Sequence, residues 1–315
     1  MARQAATLDD LVQQARTHAP IRVAVVAAEQ GLVLKTVQEA ASLGLIEPRL
    51  IGDRDAILAC AKQAGVDLVR TGKADAVMKG RIHTDAFMRA LLDAEHGLRV
   101  SGQRVSHVFM VDIPTYPKLL AITDAAINIT PDLNAKAQIL QNAIVLLRHL
   151  GIETPKVAVL SAVETVNPAI VSTLDAACLA LMAKRGQIAG AIVDGPLAFD
   201  NAISADAARE KGIVSEVAGD VDILLVPDLV SGNILAKNLE YLAGATAAGL
   251  VMGLSAPVVL SSRADPPAAR LAGLALAVLT HRSAPSLPDT ECAAEPESAI
   301  HCAAQPETAC GPIGA

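Results

Sequence analysis

The sequence predicts an α/β fold of two domains, built on mainly parallel sheets with helices on both faces. Strand-like and helix-like patterns alternate at intervals of about 20 to 30 residues, which is typical of α/β units. The runs at 188–193 and 221–226 are largely apolar on both faces, as expected of strands covered from both sides. Hydrophobic residues make up 52% of the 315 positions, and aromatic residues only 2%. The core is therefore built from Ala, Val, Leu and Ile, which suits helices packed closely on strands.

Caps and apolar runs predict the individual elements. Thr7, followed by Asp9 and Asp10, predicts the start of a helix that extends to about Thr17. Strands are predicted at 21–28, 49–52, 74–78, 106–112, 157–161, 188–193, 221–226 and 256–263. Helices are predicted at 29–43, 55–64, 85–92, 133–150, 171–185, 204–210 and about 267–280, and residues 119–127 as a short helix or strand. Gly44 is predicted as the C-cap of the helix at 29–43.

Residues 283–315 differ in composition from the rest of the chain. They are rich in Pro, Ala, Glu and Ser and lack a periodic apolar face, so they predict a disordered tail. The tail contains three of the five cysteines, at a spacing that matches no zinc-binding pattern. Cys60 and Cys178 lie in alanine-rich helical sequence, where a free thiol is usually a small buried apolar group.

Composition excludes several classes of protein. The net charge is −7 and no run of Lys and Arg exceeds two residues, so a nucleic-acid-binding surface is not expected. No apolar run reaches the roughly 18 residues that a membrane helix needs. The amphipathic, acidic N-terminal segment does not resemble a signal peptide. We therefore expect a cytoplasmic protein with no nucleic-acid or membrane partner.

Two predicted strands in the second half of the chain end in polar turns. Asp194, Gly195 and Pro196 follow the run at 188–193, and the segment 231–233 (Ser-Gly-Asn) follows the run at 221–226 and opens a helix that carries Lys237. Ligands of open α/β sheets bind at the carboxyl ends of strands. Free N–H groups at the start of a helix are suited to an anion such as phosphate. On spacing alone, ordinary strand-to-helix turns explain these segments equally well.

A third polar turn, at residues 79–84, combines positive charge with backbone freedom. Lys79, Arg81 and His83 supply cationic or proton-bearing groups, Gly80 permits close backbone approach, and Thr84 is a donor or N-cap. This combination favours an anion-binding turn before the helix predicted at 85–92. A capped helix with surface basic residues is the alternative.

Three ordered motifs carry a resemblance to a known family. The motifs are the segments DGPLAFDNA (194–202), GDVDILLVPDL (219–229) and SGNILAK (231–237). They resemble the phosphate acetyltransferase and phosphate butyryltransferase family, and their sequences are closer to the butyryl branch of the family. The segments 79–84 and 128–132 and the Ser-Arg turn at 261–265 resemble that family too. The resemblance covers about residues 74–281.

The resemblance implies a fold related to isocitrate and isopropylmalate dehydrogenases, with the active-site cleft between two domains. Residues 1–282 would form two α/β subdomains with a boundary near 130–155, and the chain would return to the first near 255–282. The implied reaction is acyl-CoA + phosphate ⇌ acyl phosphate + CoA, by direct transfer in a ternary complex, without metal, cofactor or covalent intermediate. The family usually forms homodimers.

The resemblance also implies roles for particular residues. Ser262 and Arg263 would stabilise the oxyanion. Asp265 would act as acid or base, because Ala269 stands where acetyl-type members carry Asp. Binding of phosphate and CoA would fall to Lys79, Gly80, Arg81, His83, Thr84, Asn128, Thr130, Asp194, Gly195, Pro196, Asn233 and Lys237.

Two other functions remain open on the sequence. The missing acid at Ala269 is compatible with a CoA-binding or regulatory protein that has lost catalysis. A related fold could also bind NAD and a hydroxy acid, but it would need the metal-binding Asp cluster and the substrate Arg set of those dehydrogenases. The preference among acetyl, propionyl and butyryl groups stays undecided.

Overall fold

The computed structural model describes residues 5–28, 31–51, 65–80, 82–261 and 265–283. The strands are β1 (Ile21–Val26), β2 (Ile46–Ile51), β3 (Ala76–Lys79), β4 (Ser106–Asp112), β5 (Leu120–Thr123), β6 (Lys156–Leu160), β7 (Ile192–Leu197), β8 (Ile223–Leu225), β9 (Thr246–Met252) and β10 (Val258–Val259). The helices are α1 (Leu8–Ala15), α2 (Gly31–Ser42), α3 (Thr84–Leu91), α4 (Leu133–His149), α5 (Val171–Lys184), α6 (Phe199–Ile203), α7 (Ala205–Glu210), α8 (Leu229–Leu242) and α9 (Pro267–Ser283). Residues 65–70 are also helical.

Within the described residues, the ten strands form a single sheet in the order β2-β1-β3-β10-β9-β4-β5-β8-β6-β7. The group β2-β1-β3-β10 is parallel throughout, and so is the group β5-β8-β6-β7. Between them, β9 and β4 pair in antiparallel fashion with each other and with their outer neighbours. The prediction of a mixed α/β fold with a mainly parallel sheet is confirmed.

The two faces of this sheet are covered differently. One face carries a single apolar cluster that draws on both parallel groups, with members such as Met78, Val108, Leu250 and Val157. The opposite face carries two clusters: one on the β1, β3 and β10 side, with α3, and the other on the β5, β8 and β6 side. The boundary between these two clusters crosses the sheet at β4 and β9, because Val111 and Ala247 belong to one cluster and Val105 and Val251 to the other.

Helix α9 covers the continuous face and packs against α1, α2 and α4. Ten of its twelve residues from 269 to 280 are small or aliphatic, and nearly all are buried, so the helix can lie close to the sheet. At Gly273 an added Cβ would stand 2.9 Å from Val259 Cγ1, which shows how near the helix axis is to β10. Helix α1 begins at the predicted cap, where Thr7 and Asp10 form a capping box.

Several predicted elements are corrected by the structure. Strand β9 was not predicted, and the predicted strand at 256–263 is reduced to Val258–Val259 among its described residues. The strand predicted at 188–193 instead spans Ile192–Leu197, so Asp194, Gly195 and Pro196 are in β7 and not in a turn after it. Proline is tolerated there because β7 is an edge strand.

Other sequence-based expectations have different outcomes. Cys178 is exposed on α5, so the expectation of a buried thiol is wrong for this residue. Cys60, the helix predicted at 55–64 and the tail lie outside the described residues. The described residues all fall within one compact unit, 1–284. The proposed subdivision of that unit stays a prediction. Within the described parts of the chain, no helix is long and apolar enough to cross a membrane.

Candidate active site

A cavity of about 440 Å³ opens on the divided face of the sheet, at the boundary between the two apolar clusters. It brings together side chains from the turn after β3, from α8 and from the turn after β10. Six residues predicted as site residues from the sequence line it, namely Lys79, His83, Thr84, Asn233, Lys237 and Asp265. These residues are far apart in the chain, so the cavity is a product of the fold.

The turn after β3 is held tightly in place. Lys79 is buried, and its Nζ donates to the carbonyl oxygen of Ile82 at 3.3 Å. Ser261 Oγ donates to the Lys79 carbonyl at 3.3 Å, which joins this turn to the turn after β10. At Gly80 an added Cβ would stand 2.2 Å from the carbonyl oxygen of Ala27, so only glycine fits this close backbone approach.

Helix α3 begins beside this turn. The prediction of Thr84 as an N-cap is wrong, because His83 is the N-cap and Thr84 is the first helical residue. The alternative role of Thr84 as a donor stays a prediction. Among the described residues around this cap, the His83 side chain makes no capping hydrogen bond. Both side chains line the cavity. Arg81, which was predicted to bind substrate, lies outside the described residues.

Helix α8 forms the opposite wall of the cavity. It begins at Leu229, capped by Asp228, whose Oδ1 accepts from Ser231 N at 2.8 Å. The segment 231–233 is therefore inside the helix, and the expectation of free N–H groups there is wrong for Ser231 and for Gly232, whose N–H donates to the Asp228 carbonyl. The side chains of Asn233 and Lys237 are one helical turn apart and share the cavity-facing side.

Lys237 and Asn233 have further partners. Lys237 Nζ lies 2.5 Å from Glu240 Oε2 and 5.9 Å from the centre of the Tyr241 ring. Asn233 Nδ2 donates to the carbonyl oxygen of Ala125 at 3.3 Å, which ties α8 to the turn after β5.

That turn is organised by Asp124, which sequence reasoning missed. Its Oδ1 accepts from the backbone N–H groups of Ala126 and Ile127 at 2.9 and 3.0 Å. Its Oδ2 accepts from the backbone N–H of Asn128 at 3.2 Å, from Asn128 Nδ2 at 2.6 Å and from the backbone N–H of His107 at 3.3 Å. One buried carboxylate thus fixes both the turn and the start of β4.

Some predicted binding residues lie away from the 440 Å³ cavity. Asn128 lines a neighbouring cavity of about 380 Å³ together with Arg99 and Arg104, and its Oδ1 accepts from Arg104 Nη1 at 3.1 Å. Thr130 is exposed. The segment 194–196 lies on β7, four strands from β4 in the sheet, so the structure does not bring it to the cavity lining. The substrate-binding roles of these residues stay predictions.

The turn after β10 is only partly described. Ser262 and Arg263 lie outside the described residues, so their catalytic roles stay predictions. Asp265 lines the main cavity and an adjoining one of about 220 Å³, and Lys237 is shared by both cavities. Ala269, at the position of the missing acid, is buried in α9. Among the described residues of this segment, Asp265 is therefore the carboxylate that faces the cavity.

His107 on β4 is the other lining residue that sequence reasoning missed. It is fully buried, and its ring packs edge-on against Phe109 with 4.3 Å between centroids. Burial lowers the pKa of His107 to about 4, although the charge of Asp124 acts in the opposite direction. Its ring is therefore neutral at pH 7. A histidine directly before the apolar residues 108–111 of a predicted strand was the signal available in the sequence.

The site thus combines two chemical environments. Lys79 and Lys237 bring positive charge to its walls, while His107, Phe109 and Leu260 supply an uncharged, largely apolar part. Together, fold and site define a mixed α/β protein with a cleft suited to an anion beside an uncharged group.

Comparisons with known proteins identify the family. A family model described as Phosphate acetyl/butaryl transferase matches residues 56–278. The chain is 46% identical to a phosphate acetyltransferase of Rhizobium meliloti over 297 residues, which is 88% of this chain and 94% of that protein. It is 40% identical to a phosphate butyryltransferase of Clostridium acetobutylicum over 294 residues, or 87% and 97% of the two chains.

A solved structure agrees with these matches. The crystal structure of a branched-chain phosphotransacylase from Enterococcus faecalis V583 aligns with a TM-score of 0.75 at 31% identity, over 83% of this chain and 99% of that one. The chain belongs to the phosphate acetyl/butyryl transferase family, whose members are acyltransferase enzymes. The resemblance seen in the sequence motifs is confirmed.

Proposed function

We propose that this protein transfers an acyl group between CoA and phosphate, acyl-CoA + phosphate ⇌ acyl phosphate + CoA. The observation that carries the proposal is the cavity on the divided face, where two lysines lie beside an uncharged region. Phosphate needs positive charge, and the acyl thioester needs an uncharged environment. Family membership supports the same reaction.

The reaction occurs by direct transfer in a ternary complex. Lys79 and Lys237 hold phosphate near the thioester, so that its poor nucleophilicity is offset by proximity. Arg263 and Ser262 stabilise the tetrahedral oxyanion. Asp265 acts as the acid that protonates the departing CoA thiolate, or as the base that deprotonates the incoming thiol in the reverse direction. The position of Asp265 in the cavity lining supports its part in this scheme.

The proposed mechanism uses no metal and no cofactor, because direct attack of phosphate on a thioester needs neither. We expect dialysis against a chelator to leave the transferase rate unchanged, measured before and after addition of Mg²⁺ or Zn²⁺. If the rate disappears on dialysis and returns with a divalent ion, direct transfer in this form is wrong.

We further propose a cytoplasmic homodimer. Helix α5 lies beside edge strand β7 and carries four exposed residues at helical spacing, Val171, Leu174, Cys178 and Leu181. An exposed apolar stripe on a helix next to a sheet edge supports burial against a second copy.

A direct assay tests the activity. The purified protein is mixed with phosphate and acetyl-, propionyl- or butyryl-CoA, and loss of thioester absorbance is followed with a phosphate-free control. We expect phosphate-dependent loss with at least one acyl group, and thioester formation from the matching acyl phosphate and CoA. Absence of both for all three acyl groups would refute the proposed function. NAD reduction by hydroxy acids would favour a dehydrogenase instead.

A further inference from the structure

His107 occupies a position on the sheet that is difficult to explain by packing alone. It lies where β4 crosses the boundary between the two apolar clusters, with Val111 in one cluster and Val105 in the other. Its side chain is completely buried in the protein and also lines the cavity. A polar ring has thus been placed at the floor of the cleft, between two apolar surfaces.

Neither nitrogen of this ring has a hydrogen-bond partner in the described part of the chain. Buried polar groups in native proteins are nearly always bonded, and an unbonded one costs stability. A buried histidine that served only to fill space would be better replaced by an apolar ring. The two unpartnered nitrogens therefore point to a partner that is a ligand of the cavity.

The surroundings decide which part of a ligand would bind there. The ring is neutral at pH 7, so it offers one N–H donor and one acceptor and no charge. It packs against Phe109, and Leu260 lines the same cavity, whereas the positive charges of the cavity are on Lys79 and Lys237. An anionic phosphate is better held by the lysines. An uncharged carbonyl group fits His107.

Gly249 on β9 makes this position possible. An added Cβ at residue 249 would stand 2.5 Å from His107 Nε2 and 2.8 Å from Cε1. A side chain there would force either the ring or the backbone of β9 to move, because such a short distance to a real Cβ is not tolerated. The residue opposite Gly249 in the β4–β9 pair is Phe109. Phe109 lies on β4, as His107 does, and the two rings pack edge-on against each other.

We propose that His107 is a further catalytic residue of this site, whose ring N–H donates a hydrogen bond to the carbonyl oxygen of the acyl thioester. This inference rests on the proposed function. As a phosphate oxygen bonds to the carbonyl carbon, negative charge develops on the carbonyl oxygen, and the C–S bond then breaks to release CoA thiolate. His107 stays neutral throughout: it transfers no proton and stabilises the oxygen with a donor that is already in place.

Three variants test the role in turnover. His107→Phe keeps an aromatic ring and removes both nitrogens, while His107→Gln keeps a donor. His149→Phe is the matched control, because His149 also has an unpartnered buried Nδ1 but lines a different cavity. We expect His107→Phe to lower kcat by about 10²-fold with little change in KM for phosphate, and His107→Gln to recover part of the loss. The control keeps the wild-type kcat.

Stability separates this role from a structural one. Since the unbonded nitrogens cost stability, His107→Phe should have a melting temperature equal to or above that of the wild type. Turnover in His107→Phe within about threefold of the wild type would overturn the proposal. So would a large fall in melting temperature together with equal activity losses in both His107 variants. If His107→Phe does not fold, Gly249→Ala decides, because the added Cβ would crowd the His107 ring, and an unchanged kcat in that variant contradicts the inference.

A spectroscopic measurement keeps this inference separate from the proposed function. Butyryl-CoA labelled with ¹³C at the carbonyl is bound without phosphate, so no turnover is needed, and its carbonyl stretch is recorded by infrared difference spectroscopy. We expect a lower frequency on the wild type than on His107→Phe, because a donated hydrogen bond weakens the C=O bond. Equal frequencies would refute the role of His107 even if transfer occurs. A shifted band in an enzyme without transferase activity would refute the proposed reaction instead.

Discussion

At the scale of single residues, Asp124 shows how one side chain supports a whole site. Four of its five hydrogen bonds hold the turn after β5, and the fifth holds the start of β4 at His107. Asn233, on the opposite wall of the cavity, donates to the Ala125 carbonyl in that turn. The carboxylate lies behind the cavity lining. Its effect on a ligand would therefore pass through the backbone that it orders.

Asp124→Asn is expected to destabilise the protein although the side chain keeps its shape. The amide nitrogen cannot accept, so backbone N–H groups of the turn lose their acceptor. Loss of buried partners of this kind costs about 2–4 kcal/mol in total. Urea unfolding followed by circular dichroism measures the change. An unfolding free energy within 0.5 kcal/mol or so of the wild type would contradict the proposed role of Asp124.

The second prediction at this scale concerns Arg263. A guanidinium can bond phosphate through two parallel N–H groups and also meet the oxyanion, and a lysine cannot reproduce that geometry. Arg263→Lys should therefore lose nearly as much turnover as Arg263→Ala, about 10²–10³-fold, while CoA affinity changes far less. Steady-state kinetics and calorimetric titration with CoA are the measurements. Full activity of Arg263→Ala would remove this residue from the mechanism.

At the scale of elements, β7 shows why a sequence that looks like a turn can be part of a strand. Asp194 pairs with Ala158, and the register to β6 shifts between Ala158 and Leu160. The shift accommodates Gly195, where an added Cβ would stand 2.9 Å from the carbonyl oxygen of Val159. The Gly-Pro sequence therefore marks an irregular edge strand.

Helix α5 beside that strand provides the prediction at this scale. Leu181 and Leu174 are 49% and 37% exposed, which is unfavourable for large aliphatic side chains in a free monomer. Leu181→Glu places a charge in the proposed dimer interface and should shift the protein from dimer to monomer in sedimentation velocity.

A matched substitution controls for general effects of charge. Val214 is fully exposed and lies outside α5, so Val214→Glu should leave the oligomeric state unchanged. If the wild type sediments as a monomer, or if Leu181→Glu remains as dimeric as the control, the apolar face of α5 is not the interface.

At the scale of the whole molecule, a charged network joins the amino-terminal ends of neighbouring strands in the second parallel group. Lys118 Nζ lies 2.8 Å from Asp220 and 2.7 Å from Asp222, and Lys156 Nζ lies 2.7 Å from Asp220. Hydrogen bonds from Lys118 and Lys156 lower the pKa of Asp220 below its usual value. The network thus links β5, β6 and β8 in a manner that depends on pH.

Asp220→Asn should therefore destabilise the protein at pH 7 but progressively less in acid. Because the folded-state pKa is depressed, the stabilisation is present above the unfolded-state value near 4 and disappears as pH falls through the folded value. The Asp220 side chain is more than half exposed, so solvent screening limits the effect to about 1 kcal/mol or less. Urea unfolding of the wild type and of Asp220→Asn between pH 7 and 3 measures this effect. If the difference in unfolding free energy between the two proteins does not change with pH, the depressed pKa of Asp220 is not its cause.

The sequence by itself determined the elements whose signals are local. The Thr7 cap, the strand at 106–112 and the helices that begin at Leu133 and Val171 all follow from side chains within a few residues. The motif from 79 to 84 was correctly expected to end a strand and precede a helix, because its charges and glycine act on the adjacent backbone.

Only the tertiary structure decided which of these segments meet. Strand β9 escaped prediction because its Ala- and Gly-rich sequence has no strong strand preference, and it is stabilised by pairing with β4 and β10 on either side. The register of that pairing brings Gly249 beneath His107, although the two are far apart in the chain. The same pairing of β4 and β9 forms the boundary between the two apolar clusters on one face of the sheet, and the cavity lies at that boundary. Local preferences act over a few residues, whereas strand register is set by the packing of the whole sheet, and no local pattern encodes it.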